Sequence, residues 1–203
     1  MSKHTKVRNY TDSELIEQMM SLPSYLCIPE GYHIIAVRSS EDDPDKFDDK
    51  MYLFKGTECI SVFTCTTNTG TYGLLNFRKW SKLGAAVIKS NEIYYFAFEK
   101  SDGKRVRHHK GKMPCLRQTG DMLYYRDRNL DNKVDEEGRV YKGNYSTNIH
   151  TNSYKSKTGI KSWSIKMWSV GCIVLNNIGD YYSKLLKRIP LKRKVTFTLL
   201  KEF

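Results

Sequence analysis

The sequence has no CxxC pair, no apolar run long enough to span a membrane and no internal repeat. Its five cysteines are odd in number and irregularly spaced, which argues against a disulfide framework and predicts reduced thiols. The five histidines show no zinc-ligand spacing relative to the cysteines, so no metal is predicted from them. The basic N-terminus leads into the polar segment T-D-S-E instead of an apolar run, which argues against a signal peptide and predicts a protein made in the cytoplasm.

What the sequence does have is enough apolar residues for one good core. The chain has 203 residues, of which 39% are hydrophobic and 12% aromatic, so a single globular domain is predicted. The formal net charge of +12 predicts an anionic partner, which by charge alone could be nucleic acid, a membrane surface or an anionic polymer such as cell-wall glycan.

The pattern along the chain is typical of a mainly β protein. Short β-branched and aromatic runs broken by Gly, Asp, Asn or Ser predict a single β-rich domain, a sandwich or barrel, over residues 30–203, ending in a basic strand. Residues 1–29 are predicted to be an N-terminal helical extension, because Thr11 and Glu14 form a capping-box pattern. A second short helix is predicted over residues 179–186, and a strand or turn before Cys172 over residues 164–168.

Cys172 directly follows a glycine inside an apolar run, so it is either a packed core thiol or a nucleophile presented at a strand end. His150, upstream, is the candidate base that would take its proton. Gly171 would allow a tight turn that exposes the sulfur beside free backbone amides, which could form an oxyanion hole. A thiolate stabilised in this way predicts alkylation of Cys172 below the usual thiol pKa of about 8.5.

Four ordered tracts around these residues resemble a known family. They are G-K-x-P-x-L-x-Q (residues 111–118), Y-R-D-x-N-x-D-N (125–132), N-I-H (148–150) and W-S-x-G-C-x-V (168–174). In this order they resemble the catalytic domain of the L,D-transpeptidase (YkuD-type) family, in particular small tailed-phage proteins with the same pattern, over roughly residues 30–187.

The resemblance implies an L,D-transpeptidase-like fold and a peptidoglycan-directed cysteine enzyme that cleaves or exchanges peptide bonds in wall stem peptides through a thioester. It implies that Cys172 is the nucleophile and His150 the general base, with Ser169 and Gly171 shaping the turn. Trp168 and Asn148, which lie inside the tracts, are the implied substrate-binding candidates.

The chain departs from the family pattern on both sides of the cysteine. Family members commonly carry His before the Gly-Cys pair and Arg or Asn two residues after it, where this chain has Val170 and Val174. Asn176, or its neighbour Asn177, is therefore a further substrate-binding candidate, as the polar residue that would replace the missing one.

Water is the predicted acceptor for the thioester, because the loop over residues 151–163 is polar and basic, typical of an open solvated flap. Peptidoglycan or another anionic polymer is the predicted partner, with other virion proteins as additional partners. No membrane partner is predicted, and nucleic acid is disfavoured because the aromatic residues cluster in strand-like runs. The protein would be virion-associated or released at lysis.

Two other functions fit the same residues. One is a non-catalytic virion or interaction module on the same fold, and the other is a cysteine hydrolase that acts on another host substrate. Both stay open because Val174 stands where family members carry a polar substrate-binding residue.

Two acidic segments raise the question of a cation. The first carries oxygen ligands at alternate positions, as in the first half of a calcium loop: Asp127, Asn129, Asp131 and Asp135. Asn132 stands where the turn prefers Gly, and Gly138 where a bidentate Glu would close the cage, so a solvated turn is favoured and calcium is the weaker interpretation. The second segment, residues 41–49, has no ligand spacing and is predicted to be a solvated loop.

Overall fold

The computed structural model describes residues 7–41, 43–154 and 164–203. Its eleven strands are β1 (Tyr32–Arg38), β2 (Asp49–Lys55), β3 (Glu58–Thr66), β4 (Ala85–Ile88), β5 (Glu92–Lys100), β6 (Leu116–Gln118), β7 (Met122–Asp127), β8 (Tyr141–Gly143), β9 (Asn148–Thr151), β10 (Ile173–Leu175) and β11 (Lys194–Lys201). Eight of them close into a barrel in the order β1, β11, β5, β6, β9, β10, β3, β2, and β4, β7 and β8 form a separate antiparallel sheet. The prediction of a mainly β fold is confirmed.

Side chains along a strand point alternately into the barrel interior and toward an outer layer. On β1, Ile34 and Ala36 belong to the main core, whereas Ile35 and Val37 pack in a second cluster outside the barrel. This alternation follows from the period of two in a strand, and it requires both faces of β1 to be apolar because both are covered. The buried residues of the main core include aromatic side chains that fill the barrel: Tyr94, Phe98 and Phe197.

The N-terminal helix α1 (Asp12–Met20) covers part of the outside of the barrel. The predicted capping box is present, since Glu14 N donates to Thr11 Oγ1 at 3.2 Å and Thr11 N donates to Glu14 Oε2 at 2.7 Å. Leu15 and Met19 are fully buried in the outer cluster, so the helix packs on the strands through one apolar face.

Three further helical segments connect the strands. A short helix α2 (Thr71–Asn76), which the sequence pattern did not predict, continues into a 3₁₀ turn (Phe77–Lys79), and another 3₁₀ turn spans Arg105–Arg107. The predicted C-terminal helix begins as α3 (Ile178–Asp180) and continues as a π-helical segment (Tyr181–Leu186). The wider winding places Tyr181, Leu185 and Leu186 in the core.

The parallel pair β9 and β10 decides where the chemistry lies. Ile173 pairs with Ile149, and Val174 with His150. Because the two strands run in the same direction, their N-terminal ends meet at one edge of the barrel. Cys172 immediately precedes β10 and therefore lies beside Asn148, the first residue of β9. The prediction that Cys172 stands at the start of a strand agrees with this placement.

Residues 164–168, predicted as a strand or a turn, form a turn and not a strand, with Lys166 in the left-handed region at φ +51°. Its backbone bonds to a loop instead of a neighbouring strand: Ile165 N donates to Asp45 O at 3.2 Å, and Lys166 N donates to Asp45 Oδ1 at 2.8 Å. Ile165 accounts for the apolar character of this segment, because its side chain is fully buried although the segment is not a strand.

The prediction that residues 41–49 form a solvated loop is wrong at its end. Asp49 is fully buried and accepts hydrogen bonds from Ser39 N, Thr67 N and Thr67 Oγ1. The guanidinium of Arg38, itself 2% exposed, binds Thr67 Oγ1 at 3.0 Å. A buried carboxylate is tolerated when its oxygens are hydrogen-bonded and a cation lies close by, and this network holds the segment after β3 in place.

In the residues that the structure describes, no helix combines the length and the apolar content needed to cross a membrane.

Candidate active site

The structure brings together Cys172 and His150, the two residues predicted to react, and adds His109. One ligand atom of each, the Cys172 sulfur and a ring nitrogen of each histidine, lies within 4.8 Å of the other two. His150 is on β9, Cys172 precedes β10 and His109 lies after the 3₁₀ turn at Arg105–Arg107. The cluster therefore depends on three segments that are distant in sequence.

His150 is oriented as a base. Its Nδ1 donates to the carbonyl oxygen of Thr151 at 2.8 Å, which places the ring proton on Nδ1 and leaves Nε2 as an acceptor. Nε2 is buried and has no hydrogen-bond partner in the described part of the chain. Burial lowers the pKa of His150 to about 4, so the ring is neutral at physiological pH and able to take a proton.

His109 stacks on His150, with ring centroids 3.8 Å apart and an angle of 26° between the planes. Asn148 Nδ2 donates to His109 Nδ1 at 3.2 Å. Burial, and then the neighbouring His150, lower the pKa of His109 to about 2, so this ring is also neutral. With Nδ1 accepting, the proton of the neutral ring is on Nε2, which makes His109 a hydrogen-bond donor in the cluster.

The sequence patterns did not identify His109, which lies in the basic run of residues 104–112, a composition typical of a solvated surface. The two adjacent histidines in that run were the available signal. His109 is 5% exposed, and the turn that buries it is closed by His109 N donating to Met113 O at 2.8 Å.

Cys172 is partly exposed, and its thiol is held on both sides by backbone groups. Burial raises the pKa of the Cys172 thiol, although a hydrogen bond from the Asn148 backbone amide and the positive charge of Lys110 act in the opposite direction. The thiol lies 4.0 Å from its acceptor, Ser146 O. The expectation of a depressed thiol pKa is therefore wrong for this structure, because burial outweighs the local donors. The resting pair is a neutral thiol beside a neutral imidazole.

The turn before Cys172 has the geometry that the Gly-Cys pair predicts. Gly171 has φ +113°, a region that favours glycine, and a Cβ there would lie 3.2 Å from Ala86 Cβ. Ser169 Oγ lies 2.6 Å from Asn68 O and 2.7 Å from Cys172 O, and it accepts from Gly171 N at 3.4 Å. Ser169 is fully buried, so its part is to hold the turn and not to touch a substrate.

Of the three predicted substrate-binding residues, Asn148 contacts the reacting cluster directly. Its backbone amide bonds the sulfur of Cys172, and its side chain bonds His109 while accepting from Gln118 N at 3.3 Å. These contacts give Asn148 a positioning role, in which one residue orients both the nucleophile and the second imidazole.

Trp168 also lies at the site. Its ring is 6.4 Å from that of His150 and 4.7 Å from that of Tyr154, and the Tyr154 ring is 6.3 Å from that of His109. The ammonium of Lys112 lies 5.0 Å from the centre of the Tyr154 ring. Trp168 and Tyr154 thus form an aromatic wall beside the imidazoles, and Tyr154 was not identified from the sequence.

Asn176 does not join the cluster. It follows the far end of β10, four residues beyond Cys172, which is roughly 13 Å along an extended strand. Its backbone N–H donates to Thr64 O at 3.2 Å, and its side chain is buried there. Asn177, its neighbour, caps α3 through Asp180 N at 3.2 Å. The prediction that Asn176 replaces the polar residue missing at Val174 is therefore wrong.

Among the described residues, the structure places three side chains close enough to share a cation, and they are the same three: His109, His150 and Cys172. Two imidazoles and a thiolate suit Zn²⁺ chemically, and His150 has the carbonyl partner on Nδ1 that is common for zinc-binding histidines. One feature opposes the fit. Asn148 Nδ2 donates to Nδ1 of His109, so the proton of the neutral ring is on Nε2, the nitrogen that would bind the metal.

The calcium-like loop uses its oxygens internally. Asp127 accepts from Asn129 N at 3.3 Å and from Asp135 N at 3.2 Å, and Asp131 accepts from Lys133 N at 2.9 Å. Its carboxylates do not form a metal-binding group in the described residues. The loop therefore behaves as a hydrogen-bonded turn.

The flap predicted at residues 151–163 lies outside the described residues from position 155 onward.

All five cysteines are free, as predicted, and Cys65 and Cys115 are buried. The chemistry of the cluster is thus that of one partly exposed thiol beside two neutral imidazoles. Comparisons with protein-family models, with curated proteins and with solved structures find no match to this chain.

Proposed function

We propose that the chain is a cysteine hydrolase that cleaves amide bonds through a thioester on Cys172, with His150 as the general base. The observation that carries the proposal is the state of His150. Its Nδ1 is fixed by the Thr151 carbonyl, while Nε2 is a buried acceptor without a partner in the described part of the chain. One ring nitrogen of His150 lies within 4.8 Å of the Cys172 sulfur. Burying an acceptor without a hydrogen bond costs free energy, and the proton of the nearby Cys172 thiol is suited to make that bond with His150 Nε2.

In the proposed reaction the Cys172 sulfur attacks the carbonyl carbon of the substrate as its proton moves to His150 Nε2. The negative charge on the carbonyl oxygen of the tetrahedral intermediate is stabilised by hydrogen-bond donors, for which His109 Nε2–H is the available side-chain group. Collapse of the intermediate breaks the C–N bond, and the amine leaves with the proton from His150. Water then adds to the thioester with His150 again as base, releasing the carboxylate and the thiol.

A neutral resting pair is compatible with this sequence of steps. Burial favours neutral thiol and neutral imidazole over the ion pair. The charge then develops only as the substrate carbonyl is attacked, where the Asn148 amide, Lys110 and His109 are positioned around it.

Wall stem peptides are the substrate that we propose. Support comes from the four ordered tracts and from the net charge of +12, because stem peptides carry free carboxylates. Lys110 and Lys112 lie next to the cluster and to the aromatic wall of Trp168 and Tyr154, which suits an anionic peptide. Partial exposure of Cys172 favours water as the acceptor over a second peptide.

The test is mass spectrometry of purified muropeptides incubated with the protein. We expect stem or cross-bridge fragments that have gained one water, no such fragments with Cys172→Ala, and unchanged cleavage with the control Cys27→Ala, which removes an exposed thiol. Crosslinked products would show that the acceptor is the amine of a second peptide and not water. The absence of turnover would favour a non-catalytic module or another host substrate.

A second candidate, a metal centre on the same three side chains, is favoured by the 4.8 Å clustering alone. The two candidates respond in opposite ways to a chelator. A thiol hydrolase keeps its activity in excess chelator and loses it with iodoacetamide, whereas a metal-dependent enzyme loses its activity with the chelator and recovers it when Zn²⁺ is added back.

A further inference from the structure

Phe96 is an aromatic residue in a strained backbone conformation that its own burial does not explain. Its φ is +55°, in the left-handed region that bulky residues rarely adopt, and its side chain is 60% exposed. Such a conformation costs about 1–3 kcal/mol and persists where the surrounding structure imposes it. The exposed ring gains little from packing, which points to a role for it at the surface.

The β-bulge around Phe96 is held by specific hydrogen bonds. The pairing of β5 with β11 shifts at this point, between Val195 and Phe197, and Phe96 N donates to the side chain of Thr196 at 3.2 Å. Ala97 O accepts from Thr119 N at 2.8 Å and from Gly120 N at 3.1 Å. The Phe96 N–H and the Ala97 carbonyl are therefore satisfied within the bulge, and the phenyl ring is turned outward in a defined position.

The ring lines a cleft of about 620 Å³ between the segment before β1 and the turn before β11. Tyr95, next to Phe96, fastens the first wall, because its hydroxyl oxygen accepts from Leu26 N at 2.8 Å and Cys27 N at 3.1 Å. The cleft is large enough for one or two sugar rings, and its walls are held independently of any ligand.

The second wall is cationic. Lys192 and Arg193 line the cleft, and the Arg193 guanidinium lies on Gly31, where an added Cβ would be 3.2 Å from Nη2. No carboxylate within the described ranges forms an ion pair with either residue, whereas Lys194 is paired with Glu99 at 3.2 Å. Glu30, on the opposite wall, supplies a carboxylate that can accept hydrogen bonds.

We propose that this cleft binds an acidic saccharide. A pyranose ring would lie on the phenyl face of Phe96, a carboxylate on the sugar would bind the guanidinium of Arg193, and sugar hydroxyls would donate to Glu30. The other aromatic residue that lines the cleft, Tyr32, packs partly against the main core, so Phe96 offers the exposed ring. One exposed ring opposite a carboxylate fits a sugar better than single-stranded nucleic acid, which needs successive stacking platforms along a cationic track.

The cleft is separate from the cysteine site. It lies on β5 and β11, and β11 is four strands from β10 in either direction around the eight-stranded barrel, while β6 separates β5 from β9. The identity of the saccharide rests on the proposed function, which makes wall glycan the acidic saccharide. The cleft would then hold the protein on glycan whose lactyl carboxylates carry no stem peptide, while the cysteine site works on the peptides of neighbouring sugars or strands.

The test is calorimetric titration of the Cys172→Ala protein, which cannot turn over a substrate. The probe is a tetrasaccharide of alternating N-acetylglucosamine and N-acetylmuramic acid with free lactyl carboxylates, and chitotetraose is the neutral comparison. We expect saturable binding of the acidic probe, and affinity lower by about tenfold or more for chitotetraose and for Arg193→Gln. The control Lys142→Gln, an exposed lysine on β8 with the same change of charge, should bind as the parent does.

Phe96→Gly separates binding from folding. Glycine adopts φ +55° freely, so this variant should melt at the same or a higher temperature and yet lose at least about tenfold in affinity for the acidic tetrasaccharide. The proposal is overturned if Phe96→Gly and Arg193→Gln bind like the parent, if no saturable binding occurs at millimolar probe, or if oligothymidylate binds tighter and displaces the probe. Because these measurements use the inactive protein, their outcome is independent of whether muropeptides are cleaved.

Discussion

The imidazole rings of His109 and His150 stack face to face, with their centres 3.8 Å apart. Both are buried, and burial keeps both neutral. Their other contacts differ, since His150 donates through Nδ1 to a carbonyl while His109 accepts through Nδ1 from an amide. The pair therefore presents one acceptor and one donor, which are the two functions that acyl transfer at a thiol requires.

The donor role of His109 can be tested with His109→Phe. Phenylalanine keeps an aromatic ring on His150 but removes the N–H, so we expect kcat to fall about tenfold to a hundredfold with a smaller change in KM. His108→Phe, at the adjacent position outside the cluster, is the matched control and should leave kcat near that of the parent. Wild-type kcat in His109→Phe would show that the ring only packs.

The pH dependence of hydrolysis should reflect the buried state of His150. The base form is needed, and its pKa is lowered to about 4, so kcat/KM should rise as pH increases through about 4 and show no further rise near 6.5. The measurement is kcat/KM on a soluble muropeptide across this range, with enzyme stability checked at each pH. An acid limb centred near 6.5 would mean that His150 is solvated or is not the base.

Stability should fall as pH decreases from about 6.5 toward 4. The folded pKa values of His109 and His150 lie below the unfolded value, so the unfolded chain takes up protons in this window that the folded chain does not. Each histidine then contributes a slope of about 1.4 kcal/mol per pH unit to the free energy of unfolding.

Urea denaturation at several pH values would measure this slope. His109→Phe removes one of the two groups and should flatten the curve by about 1.4 kcal/mol per pH unit between pH 6 and 4.5. An unchanged slope in this variant would contradict the burial of a neutral His109.

Gly171→Ala tests the turn that presents Cys172. Alanine is strained at φ +113°, and its Cβ would lie 3.2 Å from Ala86 Cβ and 3.3 Å from Ala86 O. We expect a loss of about 2–4 kcal/mol in the free energy of unfolding. The matched control is Gly103→Ala, where φ is +81° but nothing lies within 4 Å, so it should lose only about 1 kcal/mol. Equal losses would mean that the turn tolerates the methyl group.

Local sequence was sufficient for the features that depend on neighbouring residues. The capping box of α1 follows from Thr11 and Glu14, which are three residues apart, and the turn at Gly171 follows from the absence of a Cβ. The β-rich class follows from short β-branched and aromatic runs broken by Gly, Asp, Asn or Ser. These features depend on residues that lie within a few positions along the chain. The prediction of His150 and Cys172 as a reacting pair, 22 residues apart, came instead from the order of the four tracts.

Tertiary structure decided the rest, because its determinants are distant in sequence. His109 reaches His150 only when the segment after β5 folds onto β9, and Asn148 becomes a positioning residue only because β9 and β10 are parallel. The same pairing sets Asn176 at the far end of its strand. Burial is also a property of the whole fold, and by raising the pKa of Cys172 and lowering that of His150 it reversed the charge state that the isolated Cys–His pattern predicts.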